Sequence, residues 1–150
     1  VDPAGKYLYV ANRSSNSISQ YTIGAAGDLA AMTPASIATG ANPYSVAVDP
    51  SGKYVYAANF GDNSVSQYAI GAGGALTAMS PATIAAGTNP YSVAVDPSGK
   101  YVYIANFGSN SVYQYSIGTG GALTYTSTIA SGTSPSCVTA VGSYKNQSIN

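Results

Sequence analysis

Three nearly identical stretches decide the fold of this chain: YLYVAN at Tyr7–Asn12, YVYAAN at Tyr54–Asn59 and YVYIAN at Tyr101–Asn106. They follow one another at intervals of 47 residues. Within each stretch the side chains alternate in the manner of a β-strand, whose successive residues point to opposite faces. A sequence period of about 20–50 residues indicates a repeat architecture, in which each unit packs against its neighbours.

One unit contains four predicted strands, at Ser45–Pro50 (A), Tyr54–Asn59 (B), Ser64–Ile70 (C) and Leu76–Ala86 (D). Glycine-rich or asparagine-rich turns separate them. Pro81 lies in strand D, which is therefore predicted to be an edge strand, because proline cannot donate to the ladder of a central strand. No segment has a helical period. We therefore predict an all-β fold of four-stranded antiparallel blades, a β-propeller.

The strands follow one another in the order BCD-ABCD-ABCD-A, over repeats 1–47, 48–94 and 95–141, with a last strand A predicted at Ser134–Val141. Residues 1–141 are predicted to be one domain and 142–150 a C-terminal tail. Known propellers have about 4–8 blades. Two alternatives stay open: a homodimer that forms a closed six-bladed ring, in which each last strand A completes a blade of the partner, or a larger propeller to which these three blades belong.

These units resemble the YVTN-type β-propeller repeat of bacterial and archaeal surface proteins and of lactonase-like propellers. The naming tetrapeptide corresponds to Tyr9–Asn12, Tyr56–Asn59 and Tyr103–Asn106. The accompanying VDPSGKYVY, NSVSQY and NPYSVAVDP are also similar to that family. The resemblance implies a prokaryotic propeller that is extracellular, periplasmic or attached to the cell surface. It also implies sugar-lactone hydrolysis, such as that of phosphogluconolactone, as an alternative function.

Composition argues against several classes of function. The 150-residue chain has five cations, five aspartates and only 7% charged residues. A neutral chain offers no electrostatic footprint for nucleic acid or anionic lipid, and no apolar run reaches the roughly 20 residues of a membrane helix. We therefore expect neither nucleic acid as a partner nor membrane insertion.

The residues of common catalytic sites are also scarce. The sequence has no histidine, no glutamate and one cysteine. The commonest general base, the usual catalytic triads and the zinc clusters are therefore missing, and Cys137 is predicted to be a small buried hydrophobic residue. On this basis the protein is predicted not to be an enzyme and to have no cofactor or metal.

Most recurring polar residues have structural explanations. The Asp and Gly of the DPSGK segments are typical of turns, with at most a weak ion pair between Asp and Lys. Eleven of the fourteen tyrosines recur at equivalent positions, which favours packing between blades with the hydroxyl bonded to the backbone. The repeated asparagines are expected in turns, where this residue tolerates left-handed backbone.

The B–C loops differ between repeats, and they are predicted to share one face of the ring with the D–A loops. Variable loops on a rigid scaffold are where binding residues concentrate. The predicted ligand-binding residues on this face are Arg13, Asn42, Tyr44, Phe60, Asp62, Asn89, Tyr91 and Phe107.

The favoured function is a non-catalytic scaffold that recognises a protein or a glycan through this face. The alternatives are a lactonase-like hydrolase and a purely structural envelope or filament subunit.

Overall fold

The structure, a computed structural model, describes residues 1–142, and all regular structure in this part is β-strand. The strands are β1 (Tyr7–Asn12), β2 (Ser17–Ile23), β3 (Leu29–Ala38), β4 (Pro43–Val48), β5 (Tyr54–Asn59), β6 (Ser64–Ile70), β7 (Leu76–Ala85), β8 (Pro90–Val95), β9 (Tyr101–Asn106), β10 (Ser111–Ile117) and β11 (Leu123–Ala130).

These strands form three antiparallel sheets: β1-β2-β3, β4-β5-β6-β7 and β8-β9-β10-β11. They are called blades 1, 2 and 3 below. Each sheet is ordered as the sequence predicts, with strand D outermost and the proline-containing β7 at an edge. The all-β prediction of blades in the order BCD-ABCD-ABCD is thereby confirmed.

The core lies between neighbouring blades rather than within one of them. The alternation of strand B divides its side chains, so that Val55 and Ala57 pack in the cluster towards blade 1, whereas Tyr56 and Ala58 pack in the cluster towards blade 3. All four side chains are fully buried. At about 25 cal/mol per Å² of buried apolar surface, burial of this kind is the main stabilising term for stacked blades.

Two tyrosine positions fasten each blade to its neighbour. In strand B, the Tyr9 hydroxyl donates to the Gly74 carbonyl oxygen at 2.6 Å, and the equivalent hydroxyl of Tyr56 donates at 2.7 Å to the C–D turn of blade 3. In strand C, the Tyr68 hydroxyl donates in the opposite direction, to Ala38 of blade 1 at 2.6 Å. The prediction that the repeated tyrosines pack between blades with bonded hydroxyls is confirmed at these positions.

A buried glutamine in strand C adds a second bridge. Gln67 is fully buried; its Nε2 donates to the Pro81 carbonyl oxygen of its own blade at 3.1 Å, and its Oε1 accepts from the Leu123 N–H of blade 3 at 2.7 Å. Gln20 does the same one blade earlier, accepting from the Leu76 N–H at 2.6 Å. Each internal interface therefore contains one such bridge.

The A–B hairpins are organised by their aspartates. Asp49 Oδ1 accepts from the N–H groups of Lys53 and Tyr54, both at 2.7 Å, and Asp96 Oδ1 accepts from those of Lys100 and Tyr101, both at 2.8 Å. This confirms the interpretation as a turn, in which the carboxylate binds backbone and not the lysine side chain. Because Asp49 belongs to the turn, β4 covers Pro43–Val48, two residues earlier than the predicted Ser45–Pro50.

The last part of the described chain differs from its prediction. Residues 134–140 run beside blade 3 where a further strand A would lie: Val138 N–H donates to Ser92 Oγ at 3.1 Å, just as Val93 N–H donates to Ser45 Oγ at 3.2 Å. The segment is nevertheless not a β-strand, because residues 1–142 contain no strand B beside it. Cys137, predicted to be buried, is exposed for the same reason. The predicted tail, apart from Gly142, lies outside the described residues.

Candidate functional site

The B–C and D–A loops of a blade lie side by side, as predicted. In blade 2 the Phe60 N–H donates to the Asn42 carbonyl oxygen at 3.0 Å, and the Gly61 N–H donates to that of Ala41 at 2.9 Å. Blade 3 repeats both bonds between residues 107–108 and 88–89, each at 2.9 Å. The face that these loops form, called the loop face here, is therefore a fixed surface and not a set of independent loops.

Four aromatic side chains form a continuous row on the loop face, from Tyr44 and Phe60 in blade 2 to Tyr91 and Phe107 in blade 3. The ring centroids of Tyr44 and Tyr91 are 4.7 Å apart, those of Tyr44 and Phe60 4.8 Å, and those of Tyr91 and Phe107 5.8 Å. These are the spacings of mutually packed aromatic pairs. Phe107 is 37% exposed, whereas the other three rings are half-buried. The aromatic row thus joins two blades and still reaches solvent.

A cation stands at one end of the aromatic row. The guanidinium carbon of Arg13, from the B–C loop of blade 1, lies 5.0 Å from the centroid of the Tyr44 ring. This is within cation–π distance, an interaction worth about 0.5–1 kcal/mol at an exposed site. Arg13 is exposed, and it is the only arginine of the sequence. Its guanidinium therefore lies against the Tyr44 ring while its five N–H donors remain available to a ligand.

The remaining predicted residues shape the loops. The backbone N–H groups of Asn42 and Asn89 each donate at 2.8 Å to an asparagine Oδ1 of the preceding blade, Asn16 and Asn63 respectively. All four of these asparagines have φ between 50° and 55°, the left-handed region expected for them.

Asp62 is the exposed carboxylate of the loop face. Its Oδ2 accepts from the Ala41 N–H at 2.9 Å and its Oδ1 from the Ser64 hydroxyl at 2.7 Å. Of the eight predicted residues, the structure thus gathers Arg13 and the aromatic row into one cluster. It uses Asn42, Asn89 and Asp62 to hold the loops that carry this cluster.

A cavity lies away from the loop face, and the sequence did not predict it. It measures about 470 Å³ and lies between the β8–β9 hairpin, with Asp96 and Tyr103, and residues 138–142. The repeat could have indicated this cavity, because Tyr103 is equivalent to Tyr9 and Tyr56, which lie between two blades. These two tyrosines are 4% and 0% exposed. The cavity therefore occupies a place that is filled at both internal interfaces.

Burial also affects the ionisation of the interface tyrosines. Desolvation, with a smaller contribution from Asp2, raises the pKa of Tyr9 to about 12. Desolvation raises the pKa of Tyr56, Tyr68 and Tyr115 as well. These hydroxyls are neutral at physiological pH, and each donates a hydrogen bond to a carbonyl oxygen of a neighbouring blade.

Within residues 1–142, no three Asp, Glu, His or Cys side chains lie close enough together to hold a metal ion. Over the same residues, no helix has the length and apolar character needed to cross a bilayer.

The fold and the loop face define a β-propeller whose four-stranded blades are built on a lactonase-like repeat. The sequence model of the Lactonase family, a 7-bladed β-propeller, matches residues 1–59 and 30–140. The chain belongs to this family. No match was found among curated proteins.

Solved structures of similar fold include a "putative 6-phosphogluconolactonase" from Bacteroides fragilis, with 25% identity over 91% of this chain and 42% of that one, and a TM-score of 0.79. A protein from Lactobacillus plantarum has 20% identity over the same shares of the two chains and a TM-score of 0.82. A second "putative 6-phosphogluconolactonase", from Bacteroides uniformis, has 22% identity over 84% and 40%, and a TM-score of 0.73. This chain spans about two fifths of their length.

The prediction that the protein is not an enzyme is wrong, because the chain belongs to the Lactonase family. That prediction rested on the absence of histidine and glutamate. A chain that spans two fifths of its structural relatives carries only part of the surface on which such a propeller can place catalytic groups. The absence of these residues here therefore excludes no hydrolase.

Proposed function

We propose that this protein is a sugar-lactone hydrolase of the propeller type and that the loop face binds the lactone. The observation that carries the proposal is the match of the Lactonase family to most of the chain, together with 25% identity to a structure described as a "putative 6-phosphogluconolactonase".

The chemistry of the loop face suits such a ligand. A sugar lactone has an apolar C–H face, hydroxyl groups and a polarised carbonyl group. The aromatic row offers a partly exposed apolar surface for the ring, and Arg13 beside it offers a planar fork of donors for the carbonyl oxygen or for a phosphate group.

In the hydrolysis, water adds to the carbonyl carbon, the ring C–O bond breaks, and a proton passes to the ring oxygen to give a hydroxy acid. A cation beside the carbonyl stabilises the oxyanion that develops, and this is the role proposed for Arg13. Asp62 is the carboxylate of the same face, and each of its oxygens keeps a free lone pair beyond the bonds described above. It is proposed to take the proton from the attacking water.

The test is an assay of acid release from glucono-δ-lactone and from 6-phosphogluconolactone, read against the spontaneous rate. Turnover above that rate, lowered at least tenfold in Arg13→Ala and only partly restored in Arg13→Lys, is the expected result. Lys53→Ala is the matched control, because Lys53 lies in the A–B turn at the other end of blade 2. Rates equal to the spontaneous one for both lactones would overturn the proposal, as would equal losses in the Arg13 and Lys53 variants.

Recognition of a glycan or a protein through the loop face, and a secreted or surface-attached location, stay predictions from the sequence. Binding of gluconate, the product, followed by chemical-shift changes of the tyrosine ring protons, would locate a ligand on the aromatic row independently of turnover.

A further inference from the structure

The aromatic row is bounded by a polar residue at each end. Arg13 stands in blade 1 where the next two blades have Phe60 and Phe107. Beyond Phe107, the position equivalent to Tyr91 is occupied by Ser136, whose side chain is exposed. The row is therefore an apolar surface of limited length, with a cation at one end and a hydroxyl group at the other.

A lactone of one sugar unit does not account for the whole row. With its carbonyl oxygen at Arg13, its ring lies on Tyr44, the side chain that the guanidinium contacts at 5.0 Å. The centroid of Tyr91 is 4.7 Å from that of Tyr44, and the centroid of Phe107 is 5.8 Å from that of Tyr91. A single sugar ring is similar in size to one aromatic ring. It would therefore leave Phe107, the most exposed ring of the row at 37%, in contact with water.

A line of amide groups accompanies the aromatic row. It consists of one asparagine from each B–C loop: Asn16, Asn63 and Asn110. The Oδ1 atom of each accepts at 2.8 Å from the backbone N–H that lies two residues before Tyr44, Tyr91 or Ser136. This bond orients the exposed side chain, and within residues 1–142 it leaves the two N–H donors of each Nδ2 group for another partner.

Aromatic rings beside amide donors suit a chain of sugar units better than an alkyl or aryl group. A sugar ring has a C–H face that packs on an aromatic ring, and hydroxyl groups at its edge that accept from amide N–H groups. The amides recur once in each blade, as hydroxyl groups recur on each unit of a sugar chain. An alkyl or aryl group on the same surface would leave the amides without a partner.

We propose that the loop face binds two linked sugar units, so that the substrate is the lactone of an oxidised oligosaccharide, and that Phe107 determines this specificity. The lactone ring lies on Tyr44 with its carbonyl oxygen at Arg13, and the second sugar unit lies on Tyr91 and Phe107, towards Ser136. The proposal rests on the proposed function, which it deepens by naming the class of substrate.

The test compares glucono-δ-lactone with the same lactone carrying a second glucose on O4, and gluconate with the corresponding disaccharide acid. The disaccharide acid is expected to bind about tenfold more tightly than gluconate, which corresponds to about 1.4 kcal/mol. The higher affinity should appear in NMR titrations as larger shifts of the phenylalanine ring protons, because both phenylalanines of the sequence, Phe60 and Phe107, belong to the row. The disaccharide lactone should also have the higher kcat/KM.

Phe107→Ala tests the position of the second sugar unit. This variant is expected to lower the affinity for the disaccharide acid several times more than that for gluconate, so that the two acids bind about equally. Tyr125→Ala is the matched control, because Tyr125 is an exposed aromatic residue of β11 outside the loop face, 48% exposed. The control should keep the preference for the disaccharide acid.

The outcomes separate this proposal from the proposed function. Equal affinities of the wild type for the two acids would overturn the second sugar position, even if both lactones are hydrolysed. A preference for the disaccharide acid without turnover of either lactone would support the two-unit site and overturn the hydrolase. Equal losses of affinity in Phe107→Ala and Tyr125→Ala would overturn the role of Phe107.

Discussion

Replacing Gln67 by leucine tests whether one buried side chain fastens two blades. Leucine has a similar volume but cannot bond the Pro81 carbonyl oxygen or the Leu123 N–H, which Gln67 binds at 3.1 and 2.7 Å. Each buried group left without a partner costs about 1–3 kcal/mol. Part of this free-energy cost is regained, because burying the apolar leucine side chain costs less than burying the amide group of glutamine. We expect the free energy of unfolding to fall by about 3 kcal/mol.

The assay is urea unfolding, followed by circular dichroism and by the fluorescence of the fourteen tyrosines, since the chain has no tryptophan. With a denaturant slope near 2 kcal/mol/M, the midpoint should fall by about 1.5 M. The matched control is Gln114→Leu. In the described residues Gln114 Oε1 meets only the Ser127 hydroxyl, at 3.3 Å, so this variant should lose less than about 1 kcal/mol. Equal losses in the two variants would refute the reasoning.

Three further predictions concern a turn and the effect of pH. Gly74→Ala should destabilise the protein by more than about 2 kcal/mol, since the φ of Gly74 is +84° and a Cβ there would lie 2.4 Å from the Tyr7 ring. Gly73→Ala is the control, because a Cβ on Gly73 would meet open space. Equal thermal midpoints of the two variants would contradict the argument. The pKa of Tyr9 is about 12 in the folded protein and about 10 in the unfolded chain. The contribution of Tyr9 to the free energy of unfolding is therefore complete below pH 10 and is lost at about 1.4 kcal/mol per pH unit as the pH rises towards 12. Urea titrations that give the same free energy of unfolding across this pH range would refute the prediction. Burial alone would raise the pKa of Asp96, but four hydrogen bonds outweigh burial and lower the pKa below 3.8. The stabilising effect of this carboxylate should therefore be present above pH 4 and fade below it. The difference in the free energy of unfolding between the wild type and Asp96→Asn should shrink in acid.

The strands were predictable where side-chain alternation alone defines them. Strand B at Tyr54–Asn59 and strand C at Ser64–Ile70 have the predicted bounds, because both strands are buried on two faces and each face has its own residues. Strand A was displaced by two residues, since Asp49 looks like part of an extended run in the sequence. Its carboxylate instead binds backbone N–H groups four and five residues later, a choice that becomes visible only when the turn is folded.

The sequence predicted which face of the blades carries the candidate site, but not the contacts between the side chains on that face. The sequence places Phe60 and Phe107 in variable loops, whereas Tyr44 and Tyr91 recur like the packing tyrosines of strands B and C. Only the stacking of two blades brings these four rings into one row and sets Arg13 over the first of them. The prediction that the protein is not an enzyme was wrong for a different reason. The inference was drawn from missing residue types, and the family is defined by the residues that are present.

The asparagine bonds between blades have a consequence for how such proteins grow. Asn16 Oδ1 binds the Asn42 N–H, Asn63 Oδ1 binds that of Asn89, and Asn110 Oδ1 binds that of Ser134, each at 2.8 Å. The first two bonds join the loops of consecutive blades, and the third joins blade 3 to residues 134–140, although the partners of each bond lie only 24–26 residues apart in the sequence. The repeat that is duplicated in a gene and the blade that packs in the protein therefore need not begin and end at the same residues. A gene that gains one 47-residue length, whichever residue of the repeat that length starts from, therefore gains the strands of one blade together with the loop contacts to the blades before and after it.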